Sequence, residues 1–202
     1  GREALLICHV PGSKNTEFVL DCYCAKLFVR GLEDCSVTMT AKSRIITATL
    51  EVERCSRTKL SIGSMLGTLQ VEQCAGIIAD FASRDCFGNG SMERKGREFG
   101  NDGMLIWAGC DDLRIRIPDA SKEIEDHTVF CDFDVACSRD PTLSKERSQF
   151  KVSFLHGKLI SEKVARLKNG FPAVSFSYFP PTFRVYAGQL FEFCPGVNFR
   201  KV

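Results

Sequence analysis

The stretch that decides the fold is Thr49-Leu50-Glu51-Val52-Glu53-Arg54-Cys55-Ser56-Arg57-Thr58-Lys59-Leu60-Ser61-Ile62-Gly63-Ser64-Met65-Leu66-Gly67-Thr68-Leu69-Gln70-Val71-Glu72-Gln73-Cys74. It contains one pattern twice: Leu50-Glu51-Val52-Glu53-Arg54-Cys55 returns 19 residues later as Leu69-Gln70-Val71-Glu72-Gln73-Cys74. In each copy apolar and polar residues alternate, a period of two that marks a half-buried strand rather than a helix. A second apolar pair, Leu60 and Ile62, follows Cys55. Outward from this stretch, Cys35 stands 20 residues before Cys55 in Leu32-Glu33-Asp34-Cys35. A shifted echo runs through Ile106-Trp107-Ala108-Gly109-Cys110 into Leu113, Ile115 and Ile117.

Short strands recurring at this spacing predict an all-β solenoid, a right-handed β-helix of about seven coils. One coil cannot bury its own apolar face, so coils stack about 4.8 Å apart and line one another's interior. Cysteine suits that interior because it is small, largely apolar and at ease when buried. One thiol per coil gives a buried ladder, which accounts for most of the 11 cysteines without disulfides and favours a reducing compartment. Their odd number already prevents complete pairing within a monomer. No C-x-x-C occurs, Cys22-Tyr23-Cys24 is too tight for a zinc knuckle, and His9, His127 and His156 lie far from it. No metal and no cofactor are therefore predicted. A β-sandwich would need Gly, Asn or Pro turns about every 8–12 residues, whereas residues 32–81 hold no Pro and few glycines.

Residues 1–140 are assigned to the β-helix and residues 141–202 to a cap or appendage. Residues 5–10 form a first strand, stopped by Pro11-Gly12-Ser13, and the regular coils occupy residues 18–81. The glycine-rich, charged run 85–103 reads as an exposed insertion, with Asn89-Gly90-Ser91 as a turn. Coils resume over residues 104–117 until Pro118-Asp119, and residues 129–135 form a further alternating strand. Gly1 in place of an initiator Met suggests a fragment or a processed chain. Beyond residue 140 the composition shifts, because nine of the 16 Phe fall between Phe150 and Phe199. A strand is predicted over 149–155. Leu159, Ile160, Val164 and Leu167 predict one short helix over 158–168, stopped by Gly170. Further strands are placed near 173–176, 183–186 and 190–193. The aromatics are read as covering an open β-helix end, which would otherwise add a neighbouring chain; the alternative is a separate partner-binding module.

With 27 basic and 25 acidic side chains the net charge is +2, which gives no general attraction to nucleic acid or anionic lipid. No run approaches the ~20 apolar residues of a membrane-spanning helix. Walker A, Rossmann and H-E-x-x-H patterns are absent. Asp111, Asp112 and Asp119, with Asp132 and Asp134, are the carboxylates available for the chemistry of polysaccharide-cleaving β-helices; lacking a matching base or calcium motif, they are read as solvated corners. Interior thiols are poor nucleophiles because burial raises their pKa. No active site of the chain's own is evident.

The repeat from Thr49 to Cys74, with its strand, x-Cys, polar corner, second strand and Gly-containing turn, resembles the C-CAP/cofactor C-like β-helix family. That family includes tubulin-binding cofactor C, relatives at centrosomes and ciliary bases, and the C-terminal domain of cyclase-associated protein. The similar stretch covers residues 18–81 and extends toward 118. The resemblance implies a cytoplasmic, cytoskeleton-associated domain, at a centrosome or basal body, that binds tubulin or an ARF-like small GTPase. Cofactor C-like members stimulate GTP hydrolysis with an arginine finger carried in a Gln-x-Arg or Gln-Leu-Arg-like segment after a coil strand. Against that segment the chain offers Ile78-Ala79-Asp80-Phe81-Ala82-Ser83-Arg84-Asp85 and Cys110-Asp111-Asp112-Leu113-Arg114-Ile115-Arg116. Arg84 is the first finger candidate and Arg114 the second, both without the Gln. The family's other branch binds actin monomers, usually as a dimer joined by C-terminal strands. A non-catalytic scaffold is the third alternative. Oligomeric state is left open.

Overall fold

The computed structural model describes residues 7–10, 12–21, 23–87, 104–118, 127–155, 158–164 and 197–201. In chain order the first ten strands are β1 (Ile7–Val10), β2 (Thr16–Leu20), β3 (Tyr23–Cys24), β4 (Lys26–Arg30), β5 (Ser36–Met39), β6 (Arg44–Ile45), β7 (Thr49–Glu53), β8 (Ser56–Ile62), β9 (Thr68–Glu72) and β10 (Ala75–Phe81). They are followed by β11 (Met104–Ala108), β12 (Asp111–Ile117), β13 (His127–Cys131), the helix α1 (Phe133–Arg139), β14 (Gln149–Leu155), β15 (Lys158–Lys163) and β16 (Val197–Lys201). The protein is all-β, with one short α-helix among the described residues. None of its described helices is long and apolar enough to cross a membrane.

Alternation dictates the layers. In β7 and β9 the second and fourth residues are buried and their neighbours half-exposed; in β8, β10 and β12 the buried positions are likewise every second residue. A first sheet has the order β1-β4-β7-β9-β11-β14-β15, a second the order β13-β12-β10-β8-β5-β2-β16, and a small third sheet pairs β3 with β6. From β1 to β6 the chain visits the three in turn, from β7 to β12 it alternates between the two large sheets, and every pairing from β1 to β11 and from β2 to β12 is parallel. Like residues therefore stack on like: Leu50 lies beside Leu69 and Leu69 beside Leu105, all 1% exposed or less. Burial of these rows between the sheets is the main source of stability.

One device turns the chain from the first sheet into the second. Asn15, Asp34, Arg54, Gln73 and Gly109 all have φ between 50° and 58°, a left-handed conformation that costs an ordinary side chain free energy. Inter-rung hydrogen bonds offset that cost: the Arg54 N–H donates to the Glu72 carbonyl at 3.0 Å and the Gln73 N–H to the Ala108 carbonyl at 2.9 Å. The next residue turns inward and donates to the carbonyl two positions back. Thr16 Oγ1 does so to Lys14 at 2.8 Å, Cys35 Sγ to Glu33 at 3.1 Å, Cys55 Sγ to Glu53 at 3.4 Å, Cys74 Sγ to Glu72 at 3.2 Å and Cys110 Sγ to Ala108 at 3.4 Å. The four thiols are buried and unbridged, as the repeat predicts. Glycine is required at 109 for a second reason, because a Cβ there would sit 2.7 Å from the Lys145 carbonyl oxygen.

Parallel order ends after β12. Strand β13 adds antiparallel to β12, β14 antiparallel to β11 and β15 antiparallel to β14, so the first sheet continues past residue 140. Phe150 stacks on Trp107 with centroids 4.2 Å apart, and the indole N–H donates to Ser161 Oγ at 3.0 Å. At the opposite end β16 pairs antiparallel with β2.

Three expectations are corrected. Over Lys158–Lys163 the predicted helix is instead strand β15, whose pairing with β14 overrides the local helical spacing, while residues 165–168 lie outside the described residues. The one α-helix lies earlier, and the strand predicted to reach Val135 stops at Cys131, because Asp132 caps that helix by accepting from the Val135 N–H at 2.9 Å. Five parallel strands, not seven, run in each large sheet among the described residues. Most of the 85–103 insertion, the Asn89 turn, Asp119, Gly170 and the strands predicted near 173–193 lie outside the described residues.

Candidate functional site: the outer face of the second sheet

Because Leu113, Ile115 and Ile117 fill the interior, Arg114 and Arg116 of β12 must point outward. The same parity places Lys59 of β8 and Ile78 and Asp80 of β10 on that face. Register then aligns them into two rows. Lys59, Ile78, Arg114 and Phe130 form one, and Ser61, Asp80, Arg116 and Thr128 the next. In the second row Asp80 receives two cations: Arg116 Nε lies 3.1 Å from Oδ1 and Lys59 Nζ 3.4 Å from Oδ2.

Arg114 is different. Its Cζ stands 4.8 Å over the ring of Phe130, and among the described residues it makes no ion pair. Phe130 is 63% exposed and Ile78 38%, so this face combines uncovered apolar surface with excess positive charge. A guanidinium over an aromatic face is held by the ring quadrupole while keeping its charge, and it suits planar anionic oxygen groups. The first sheet offers the contrast. A depression of about 180 Å³ there includes Phe28, Arg30, Glu51, Glu53 and Glu72 in its wall. The cations there are engaged by carboxylates, Lys26 pairing with Glu51 at 2.5 Å and Arg30 with Glu53 at 3.1 Å.

Arg84 lies elsewhere, in the 3₁₀ turn Arg84–Cys86 beyond the end of β10. Its side chain is half-buried and Nη1 is enclosed by protein. The two finger candidates thus occupy different elements, and Arg114 is the one with an exposed side chain.

The carboxylates do structural duties. Asp111 pairs with Lys145 at 2.6 Å. Asp132 accepts from the N–H of Val135 and, at 3.1 Å, of Asp112, and these backbone hydrogen bonds hold its pKa below the usual carboxylate value. Among the described residues no group of three or more His, Cys, Asp or Glu could hold a metal. Hydrogen bonding to Cys110 and Cys55, with burial, raises the pKa of Cys74, the same hydrogen bonding lowers Cys110 and brings Cys55 down to about 7, and burial pushes Cys131 up to about 12. All four thiols are no more than 2% exposed, so a substrate in solution cannot reach them.

Phe130 went unrecognised in the sequence. The alternation Thr128-Val129-Phe130-Cys131 marks it as outward once Cys131 is known to be inside, but its place opposite Arg114 depends on an antiparallel pairing that no local pattern encodes. Comparison with protein-family models, curated proteins and solved structures returned no match.

Proposed function

We propose that the chain is a right-handed β-helix of the cofactor C type that docks tubulin or an ARF-like small GTPase and stimulates GTP hydrolysis through Arg114. The parallel stacking of strands that alternate between two large sheets and the stacked corner thiols support the architecture. One observation carries the function: an exposed arginine, borne mid-strand on a rigid parallel sheet, sits on an aromatic ring instead of a carboxylate. In the reaction, water attacks the γ-phosphorus, the bond to the β–γ bridging oxygen breaks, and the water proton passes to phosphate, giving GDP and inorganic phosphate. The chain's own contribution is charge: the guanidinium neutralises the negative charge that grows on the transferring group and the leaving oxygen, an effect worth roughly 10³–10⁵ in rate where arginine fingers operate. The place of action is the cytoplasm, at a centrosome or basal body.

Single-turnover hydrolysis by GTP-loaded tubulin and ARF-like GTPases tests this. The native chain is expected to accelerate turnover, Arg114→Ala to abolish the acceleration, and Arg84→Ala to retain it. No acceleration by the native chain would retire the proposal. A second reading is actin-monomer binding, the other branch of the resembled family; here the C-terminal strand β16 pairs with β2 of the same chain. Co-sedimentation with actin checks it.

A further inference from the structure

We infer that Phe130 is the positioning residue for Arg114, holding the guanidinium ready for the terminal phosphoryl group of GTP; this rests on the activator function proposed above. An outward position on a strand is ordinarily polar, and a phenyl ring 63% exposed there contributes little to the core. What the ring does contact is the guanidinium carbon of Arg114, at 4.8 Å.

The interior fixes this placement. Arg114 and Phe130 are directly opposite, and the flanking pairs Leu113–Cys131 and Ile115–Val129 point inward, with Leu113, Ile115 and Cys131 no more than 2% exposed. A one-residue slip would turn Phe130 into the core and expose Cys131, so the core enforces the register that makes the contact. Two carboxylates lie near Arg114 on the sheet: Asp80 is held by Arg116 and Lys59, and Asp112, exposed two residues before Arg114 on β12, makes no ion pair with it. Arg114 is left resting on a π face, its charge available to an incoming phosphate.

A free arginine side chain has much rotamer freedom to lose on engaging a phosphate, and the ring removes part of that loss beforehand. The expected signature is in turnover, not docking. Phe130→Leu, which keeps apolar bulk but removes the ring, should lower the accelerated rate at saturating chain by about tenfold and leave the half-saturating concentration unchanged. Phe130→Tyr should restore the rate. The emission of Trp107, the single tryptophan, confirms that each variant is folded.

A Phe130→Leu chain that performs like the native one overturns the positioning role and leaves the activator function standing. So does a variant that shifts only half-saturation, which would make Phe130 a docking contact. Failure of the native chain to accelerate hydrolysis removes the activator function itself, and the positioning role with it.

Discussion

The parallel rungs from β2 to β12 and the antiparallel end built from β13, β14 and β15 solve one problem, burying alternate residues, by different means. In the rungs the chain always runs in the same direction, so like stacks on like and each corner repeats the left-handed residue and inward thiol or hydroxyl. At the antiparallel end unlike residues meet: Trp107 faces Phe150, Leu105 faces Val152 and Leu113 faces Cys131. Repetition gives the rungs their regularity, while at the end the added strands turn antiparallel. Arg114 belongs to the last parallel strand and Phe130 to the first antiparallel one. The candidate site is thus a product of the junction, and neither region could make it alone.

The largest effect expected concerns whether the two regions fold as one. Leu69, in the middle of the first sheet between Leu50 and Leu105, is 1% exposed. Leu69→Ala should destabilise the protein by about 3 kcal/mol through lost burial and an unfilled cavity. Trp107 stacks on Phe150 across the junction, so its fluorescence reports on the boundary while far-UV circular dichroism reports on all strands. In urea both transitions should move together. A tryptophan transition that stays in place while the dichroism moves would show that the antiparallel end is a separate unit.

The same contrast explains what was legible in the sequence. The alternation around Leu50, Val52, Leu69 and Val71, and the cysteines that close each run, specify the parallel rungs because each rung repeats its neighbour. The antiparallel end has no repeat to copy. Leu159, Ile160 and Val164 satisfy a helical spacing as well as a strand, and only pairing with β14 decides between them. Helix α1 had a usable local signal, the capping residue Asp132 immediately before Phe133, which the apparent alternation from Val129 to Val135 obscured. For the site, sequence named Arg114 but ranked Arg84 above it, since periodicity says which way a strand residue faces and nothing about how far a turn residue is enclosed.

A smaller effect tests whether the thiols are needed as thiols. Cys74→Ala removes the sulfur that accepts the Cys55 N–H at 3.3 Å and leaves that buried group unpaired. The expected loss is about 2 kcal/mol, from the unmatched donor and the lost volume. Thr16 already performs the corner turn with a hydroxyl, so Cys35→Thr, one rung away, should change stability by less than about 1 kcal/mol. Equal losses for the two substitutions, read from urea midpoints, would mean that sulfur volume rather than the repeated corner hydrogen bond sets the requirement.

The smallest effect lies at the junction and depends on pH. Asp132 spans the two regions through one carboxylate, its Oδ1 capping α1 and its Oδ2 receiving the N–H of Asp112 from the last rung. Asp132→Ala should cost about 1 kcal/mol at neutral pH, as loss of a helix cap does. Hydrogen bonds from the Val135 and Asp112 amides depress the folded-state pKa, so the unfolded chain binds the proton first as acid is added. The charged carboxylate's contribution is therefore complete above the ordinary aspartate value of about 3.9 and is lost as pH falls through the lower folded value. The gap between native and Asp132→Ala stabilities should narrow over that acid range and stay constant above it. A gap that is the same in strong acid as at neutrality would assign the residue's role to shape instead of charge, and the two regions would then be joined at Asp132 without an electrostatic tie.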